Sequence, residues 1–97
     1  MRLVKIGVAS VNATVGAVQS NTTRCIELAH RMARDDVTVA VFPEEVIGGY
    51  PTEDLIQWRG FVASQWRELE RFASETGQLR TVFALSLIHI SEPTRLC

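Results

Sequence analysis

The chain has 97 residues, 46% of them hydrophobic and 22% charged, a balance that fits one small globular unit and excludes both a disordered tail and a membrane-spanning bundle. Its net charge is −1 and its arginines are scattered, so no basic patch exists to neutralise phosphates and nucleic acid is not an expected partner. Lys5 interrupts the apolar start and no small-residue cleavage site follows, the uncharged runs Val37–Phe42 and Val82–Ile90 are too short to cross a bilayer, and Cys25 and Cys97 make no disulfide framework; the sequence reads as cytoplasmic, with no membrane partner.

Leu3–Ala9 is rich in Val and Ile and is followed by Ser10, Asn12 and Gly16, the pattern of a short buried strand running into a loop. Ser20 or Asn21 is the expected helix N-cap, its side chain accepting from a free backbone N–H. Beyond it Cys25, Leu28, Ala29, Met32 and Ala33 recur at three- and four-residue steps, one apolar stripe of an amphipathic helix that ends at Asp35-Asp36. Val37–Phe42 is a β-branched run suited to a central strand buried on both faces, and Pro43 stops it. A loop from Glu44 to Pro51 leads to a second helix from about Gly60 to Thr76. Its buried stripe is expected at Val62, Trp66, Leu69 and Ala73, with Phe61 and Phe72 at the margins, and with Gly77 supplying a left-handed stop. Thr81–Leu85 reads as a third strand. The order β-α-β-α-β predicts an α/β fold with helices packed on a sheet through right-handed crossovers.

The stretch richest in chemistry runs from Val41 to Pro51. A carboxylate just past the end of a buried strand stands at the rim of the sheet, where α/β folds build their sites. Partial burial at such a rim disfavours the charged form and makes a carboxylate a better general base near neutral pH. Taken alone, a Glu in this place is more often a solvated loop residue than a catalyst.

Phe42-Pro43-Glu44 followed by Gly49-Tyr50 resembles the first motif of the carbon–nitrogen hydrolase (nitrilase) superfamily, and the strand Ile6–Ala9 and the helix opening at Asn21 fall where that family has its first strand and helix. Tyr50-Pro51-Thr52-Glu53-Asp54-Leu55 and Asn12-Ala13-Thr14-Val15-Gly16 are similar, more narrowly, to stretches of the glutaminase domain of glutamine-dependent NAD synthetases. The chain departs from the usual pattern at Ser10, Ala17, Glu45 and Thr52. The resemblance covers residues 3–84 and implies the N-terminal part of an αββα nitrilase-type sandwich, truncated, with a partial domain over residues 1–84. It implies a Glu–Lys–Cys triad in that chain order, with Glu44 the general base that takes the thiol proton. It further implies glutamine as the small-molecule amide substrate, a homo-oligomer, and ATP and Mg²⁺ sites in a synthetase domain outside this chain, with no cofactor or metal in the fragment itself.

No lysine follows Glu44, because the single lysine, Lys5, lies in the first strand, where an exposed strand residue is the simpler reading. Cys25 sits on the apolar stripe of the first helix as a small buried hydrophobe. The fragment is therefore expected to be inactive alone. His30 reads as a helix-surface residue, Trp58 and Trp66 as core or interface residues, and Glu53 and Asp54 as favourable charges at a helix N-terminus. Residues 85–95 resemble a translated sequencing-library adaptor, so the tail 85–97, with His89 and Cys97, is expected to carry no chemistry. Two rivals remain: a free-standing nitrilase-type amidase or carbamoylase, and a non-catalytic α/β binding module. Against the second, no Gly-x-Gly-x-x-Gly follows the first strand.

Overall fold

The computed structural model describes residues 3–43, 46–48, 59–86 and 95–96. In chain order they form β1 (Ile6–Val8), α1 (Val18–Arg34), β2 (Val39–Val41), α2 (Arg59–Thr76), β3 (Val82–Ser86) and β4 (Arg95–Leu96). The sheet order is β1-β2-β3-β4, parallel from β1 to β3, with β4 antiparallel to β3. Each crossover advances one strand in the same direction, so successive helices fall on the same face of the sheet. A flavodoxin-type order would instead put β1 between β2 and β3.

Period-two alternation divides the strands cleanly into two faces. Gly7, Ala40 and Phe83 lie side by side in the register and point to the helices. Gly7 is needed there, since a Cβ would lie 2.9 Å from Sδ of Met32 and 3.2 Å from Cγ1 of Val37. The opposite face carries Ile6, Val8, Val41 and Val82, all exposed; Ile6 is 66% and Val8 78% accessible. The expected two-sided burial of β2 is therefore met on one face only, because both helices pack on the same side. The strand is also shorter than the run 37–42, although the backbone N–H of Phe42 still donates to Ala84 at 3.1 Å and extends the ladder by one bond.

In α1, Cys25 and Ala29 are fully buried, with Leu28 and Met32 packed against the same core. The helix starts earlier than expected. Its N-cap is Ala17, with no side-chain cap, and Asn21 is already helical, its N–H donating to the Ala17 carbonyl at 2.9 Å. The Asn21 side chain cannot cap because it is committed elsewhere. At the far end Asp35 is the C-cap and Asp36 takes the left-handed conformation at φ 61°.

The inward stripe of α2 is rotated from its expected place. Gln65, Glu68, Leu69, Phe72 and Thr76 are buried, whereas Trp66 is 44% accessible and Ala73 is exposed. Phe72 wins the inward position because two other rings meet it there. It stands edge-on to Phe42 and Phe83, with centroids 5.6 and 5.5 Å away. The two helices are tied by Nη2 of Arg71 donating to Oγ1 of Thr23 at 2.6 Å. Gly77 follows the helix as expected but its backbone is not left-handed; a side chain is disfavoured there because a Cβ would meet the Ala73 carbonyl at 3.2 Å. Thr81 closes the layer below, its hydroxyl donating to the Val37 carbonyl at 2.6 Å.

Candidate active site

In a parallel sheet the loops that leave the C-terminal strand ends share one edge, and sites collect there. Here that edge is built from the segment after β1 and the segment after β2. Ala9 continues the β1 ladder, its N–H donating to the Val41 carbonyl at 2.9 Å, and the chain then runs through Thr14 to Gly16. Gly16 turns at φ 82°, a conformation that a side chain would strain. After β2, Phe42 is buried and Pro43 half-buried, and the turn Val46–Ile47–Gly48 is buried throughout.

The two segments are joined directly. The N–H of Gly16 donates to the Gly48 carbonyl at 2.9 Å. The Asn21 side chain supplies three further bonds: Thr14 N–H donates to its Oδ1 at 3.0 Å, and its Nδ2 donates to the Thr14 and Ile47 carbonyls, both at 2.8 Å. Gln65 of α2 backs the same turn, its Oε1 standing 2.9 Å from where a Gly48 Cβ would be. Neither polar atom of the Gln65 amide finds a hydrogen-bond partner among the described residues, although the side chain is 1% accessible.

Glu44 lies outside the described residues, flanked by Pro43 and Val46, which are within them. Glu45, Glu53, Asp54, Trp58, His89 and Cys97 lie outside them as well. Lys5 stands at the opposite end of the sheet from Pro43, exposed, with its Nζ donating to the Asp35 carbonyl at 2.6 Å. Cys25 is sealed in the core, where burial pushes its thiol up from 9.0 to about 12 against a weaker opposing pull from Arg24. Such a thiol is not a thiolate at neutral pH. Neither residue joins the edge that Pro43 leaves. His30 is half-buried on α1, and no group of three or more His, Cys, Asp or Glu among the described residues could hold a metal ion. A groove of about 320 Å³ between α2 and β3, lined by Leu69, Phe72, Thr76, Phe83 and Leu85 among others, is apolar and offers no reactive group.

Asn21 and Gln65 are the polar residues of this edge that periodicity passed over. Asn21 reads as a helix N-cap in the sequence, and its place inside α1 emerges only with the structure. Nothing in the pattern marked Gln65.

Fold and edge together define the class: an α/β layer on a parallel sheet, with its candidate site on the loops at the C-terminal strand ends. No protein-family model matches the chain. Its sequence relatives are more particular. It is 42% identical over 74 residues to the glutamine-dependent NAD(+) synthetase of Xanthomonas campestris pv. campestris, covering 74% of this chain, and 32% identical over 93 residues to that of Thermotoga maritima, covering 95%. Among solved structures, the glutamine-dependent NAD(+) synthetase of Cytophaga hutchinsonii superposes with a TM-score of 0.80 at 22% identity over 91% of this chain and 15% of its own. That of Acinetobacter baumannii, in complex with ADP, gives 0.72 at 22% identity over 95% of this chain and 17% of its own. The chain is a homologue of one part of the glutamine-dependent NAD(+) synthetases, and it spans 13–16% of the length of these two sequence relatives. The free-standing amidase and the α/β binding module are not favoured by these relatives.

Proposed function

We propose that the chain is part of the glutamine-hydrolysing domain of a longer NAD(+) synthetase, and that Glu44 is the general base of that domain. The reading rests on the 42% identity to a glutamine-dependent NAD(+) synthetase. In the proposed reaction the Glu44 carboxylate accepts the proton of a cysteine thiol supplied by another part of the enzyme. The thiolate attacks the glutamine amide carbon, and a lysine stabilises the oxyanion of the tetrahedral intermediate. Collapse forms a thioester and expels ammonia, which carries away the proton held by Glu44. Water then cleaves the thioester to glutamate and returns the thiol. The ammonia amidates deamido-NAD in a reaction that consumes ATP.

The loop after β1 carries no glycine-rich run to cradle a phosphate, and this reading assigns no ATP or Mg²⁺ to the segment. They belong, in this reading, to the synthetase domain. In this reading the domain's own sequence is residues 1–84 and residues 85–97 are an adaptor-derived addition, although Leu85 is buried in the core and Arg95–Leu96 pairs with β3. The Thermotoga alignment runs past Ala84 and β3 continues to Ser86, so the reading frame of the genomic DNA beyond Ala84 decides this boundary. The intact enzyme is taken as a cytoplasmic homo-oligomer; no helix among the described residues is long and apolar enough to cross a membrane.

The test is Glu44→Gln in the intact enzyme. Glutamine-dependent activity should fall roughly 10²–10⁴-fold, the range of general acid–base catalysis, while activity with supplied ammonia survives. Glu45→Gln is the control and should leave both activities in place. Equal losses for the two substitutions, or loss of the ammonia-dependent reaction, would assign Glu44 a structural role. The 97-residue chain alone should release no ammonia from glutamine.

A further inference from the structure

We propose that Asn21 is a positioning residue of this amidase site: it ties the turn Val46–Gly48, which begins two residues after Glu44 in the sequence, to the loop that follows β1. The inference rests on Glu44 being the general base and adds a requirement that the reading above does not contain.

The argument starts from what a buried carboxamide can do. Asn21 is 2% accessible, and three of its four hydrogen-bonding positions are used, one accepting and two donating. None of these bonds serves its own helix. They reach Thr14, 7 residues back, and Ile47, 26 residues on, so one side chain spans both loops at the C-terminal edge of the sheet. Its neighbour Thr22 is equally buried but returns its hydroxyl to Val18 in the same helix at 2.7 Å. The contrast separates an inter-loop tie from ordinary helix packing. Other side chains cannot replace Asn21. A leucine would leave two backbone carbonyls and one N–H without these partners, and an aspartate would set a carboxylate against the two carbonyls.

The tie is reinforced from both sides. The Gly16 N–H to Gly48 bond at 2.9 Å forms a second rung between the same loops, and Gln65 presses on Gly48 from α2. The turn is thus held at Ile47 and Gly48, while Phe42 is held to β3 by its bond to Ala84. Only four residues, Pro43 to Val46, separate these anchors, and Glu44 is one of them. Misplacing a catalytic group by about 1 Å costs on the order of 10²-fold in rate.

The experiment compares Asn21→Ala, Asn21→Asp, Thr22→Ala and Glu44→Gln in the intact enzyme. Each is assayed for glutamine-dependent kcat and KM, ammonia-dependent rate, Tm, and the pH profile of glutamine-dependent kcat/KM, whose acid limb reports the essential base. Asn21→Ala should lower glutamine-dependent kcat by roughly 10–100-fold with little change in KM, move the acid limb, and spare the ammonia-dependent reaction. Thr22→Ala should lower Tm without moving the acid limb. If Asn21→Ala does not yield folded protein, Asn21→Asp, which keeps the shape and the bond from Thr14, carries the same comparison. Should the folded Asn21 variant lose no more glutamine-dependent rate than Thr22→Ala does, with Glu44→Gln inactive, Glu44 stands as base and the positioning role is overturned. An active Glu44→Gln removes the base and the positioning role together.

Discussion

Gly48 and Gln65 fit closely enough that a side chain on Gly48 would force its neighbours to shift: a Cβ there would stand 2.9 Å from Oε1 of Gln65 and 3.1 Å from Cζ of Phe61. Gly48→Ala should therefore destabilise the fold by about 1–3 kcal/mol, the range for overpacking a tight site. Gln65→Leu should do the reverse. It removes two buried polar atoms that have no partner among the described residues, and leaving such groups unpaired costs about 1–3 kcal/mol. Urea unfolding of the two variants checks both signs; a Gln65→Leu protein less stable than the parent would mean that the amide is paired in solution.

The inward face of α2 can be tested by contrast. Phe72→Ala removes the ring that meets both Phe42 and Phe83, and a buried Phe truncated to Ala costs about 3–5 kcal/mol. Trp66→Ala, at a position 44% accessible, should cost far less despite deleting a larger side chain. Thermal unfolding followed by circular dichroism should rank Phe72→Ala well below Trp66→Ala, and the opposite ranking would restore the stripe centred on Trp66.

Cys25 gives a pH dependence with a definite sign. Its thiol is held neutral to about 12 in the folded chain against an ordinary 9.0, so the folded state resists ionisation that the unfolded state undergoes. That contribution is complete below pH 9, and it is lost progressively as pH rises from there toward 12. Cys25→Ala should flatten the alkaline fall in stability. In the native chain at pH 8 iodoacetamide should leave Cys25 unmodified on peptide mapping, and should label it once urea unfolds the protein.

The bare face of the sheet predicts self-association. Ile6, Val8, Val41 and Val82 form one apolar surface beside β1, the edge strand among the described residues, a combination prone to pairing between copies. Light scattering should detect oligomers of the isolated chain at micromolar concentration. Val8→Lys, on the edge strand, should reduce them without lowering the helical signal.

Much of this layer was legible because β-branched runs and apolar periodicity are local properties of the sequence. The strands at Ile6–Val8, Val39–Val41 and Val82–Ser86 and both helices follow from them. What was not legible depends on partners distant in the chain. The α2 face turned on whether Phe72 or Trp66 pointed inward, and helical spacing fits either stripe. Phe42 and Phe83 decided it. Asn21 read as a cap because Asn is a good one, and only the positions of Thr14 and Ile47 reveal the competing use of its amide. The proposal for Glu44 rests on the motif around it, since Glu44 lies outside the described residues.

The three parallel strands β1, β2 and β3 sit in chain order, each separated from the next by one helix, so this layer can assemble while the ribosome is still at work. At about 5–20 residues per second, a chain several times longer would leave the Ile6–Val8–Val41–Val82 face wet for roughly tens of seconds before translation ends. In such a chain the face would be open for that interval to chaperones that hold exposed apolar sheet. In a chain of that length the same row of valines and isoleucine would make the timing of synthesis, and not only its product, part of how this segment folds.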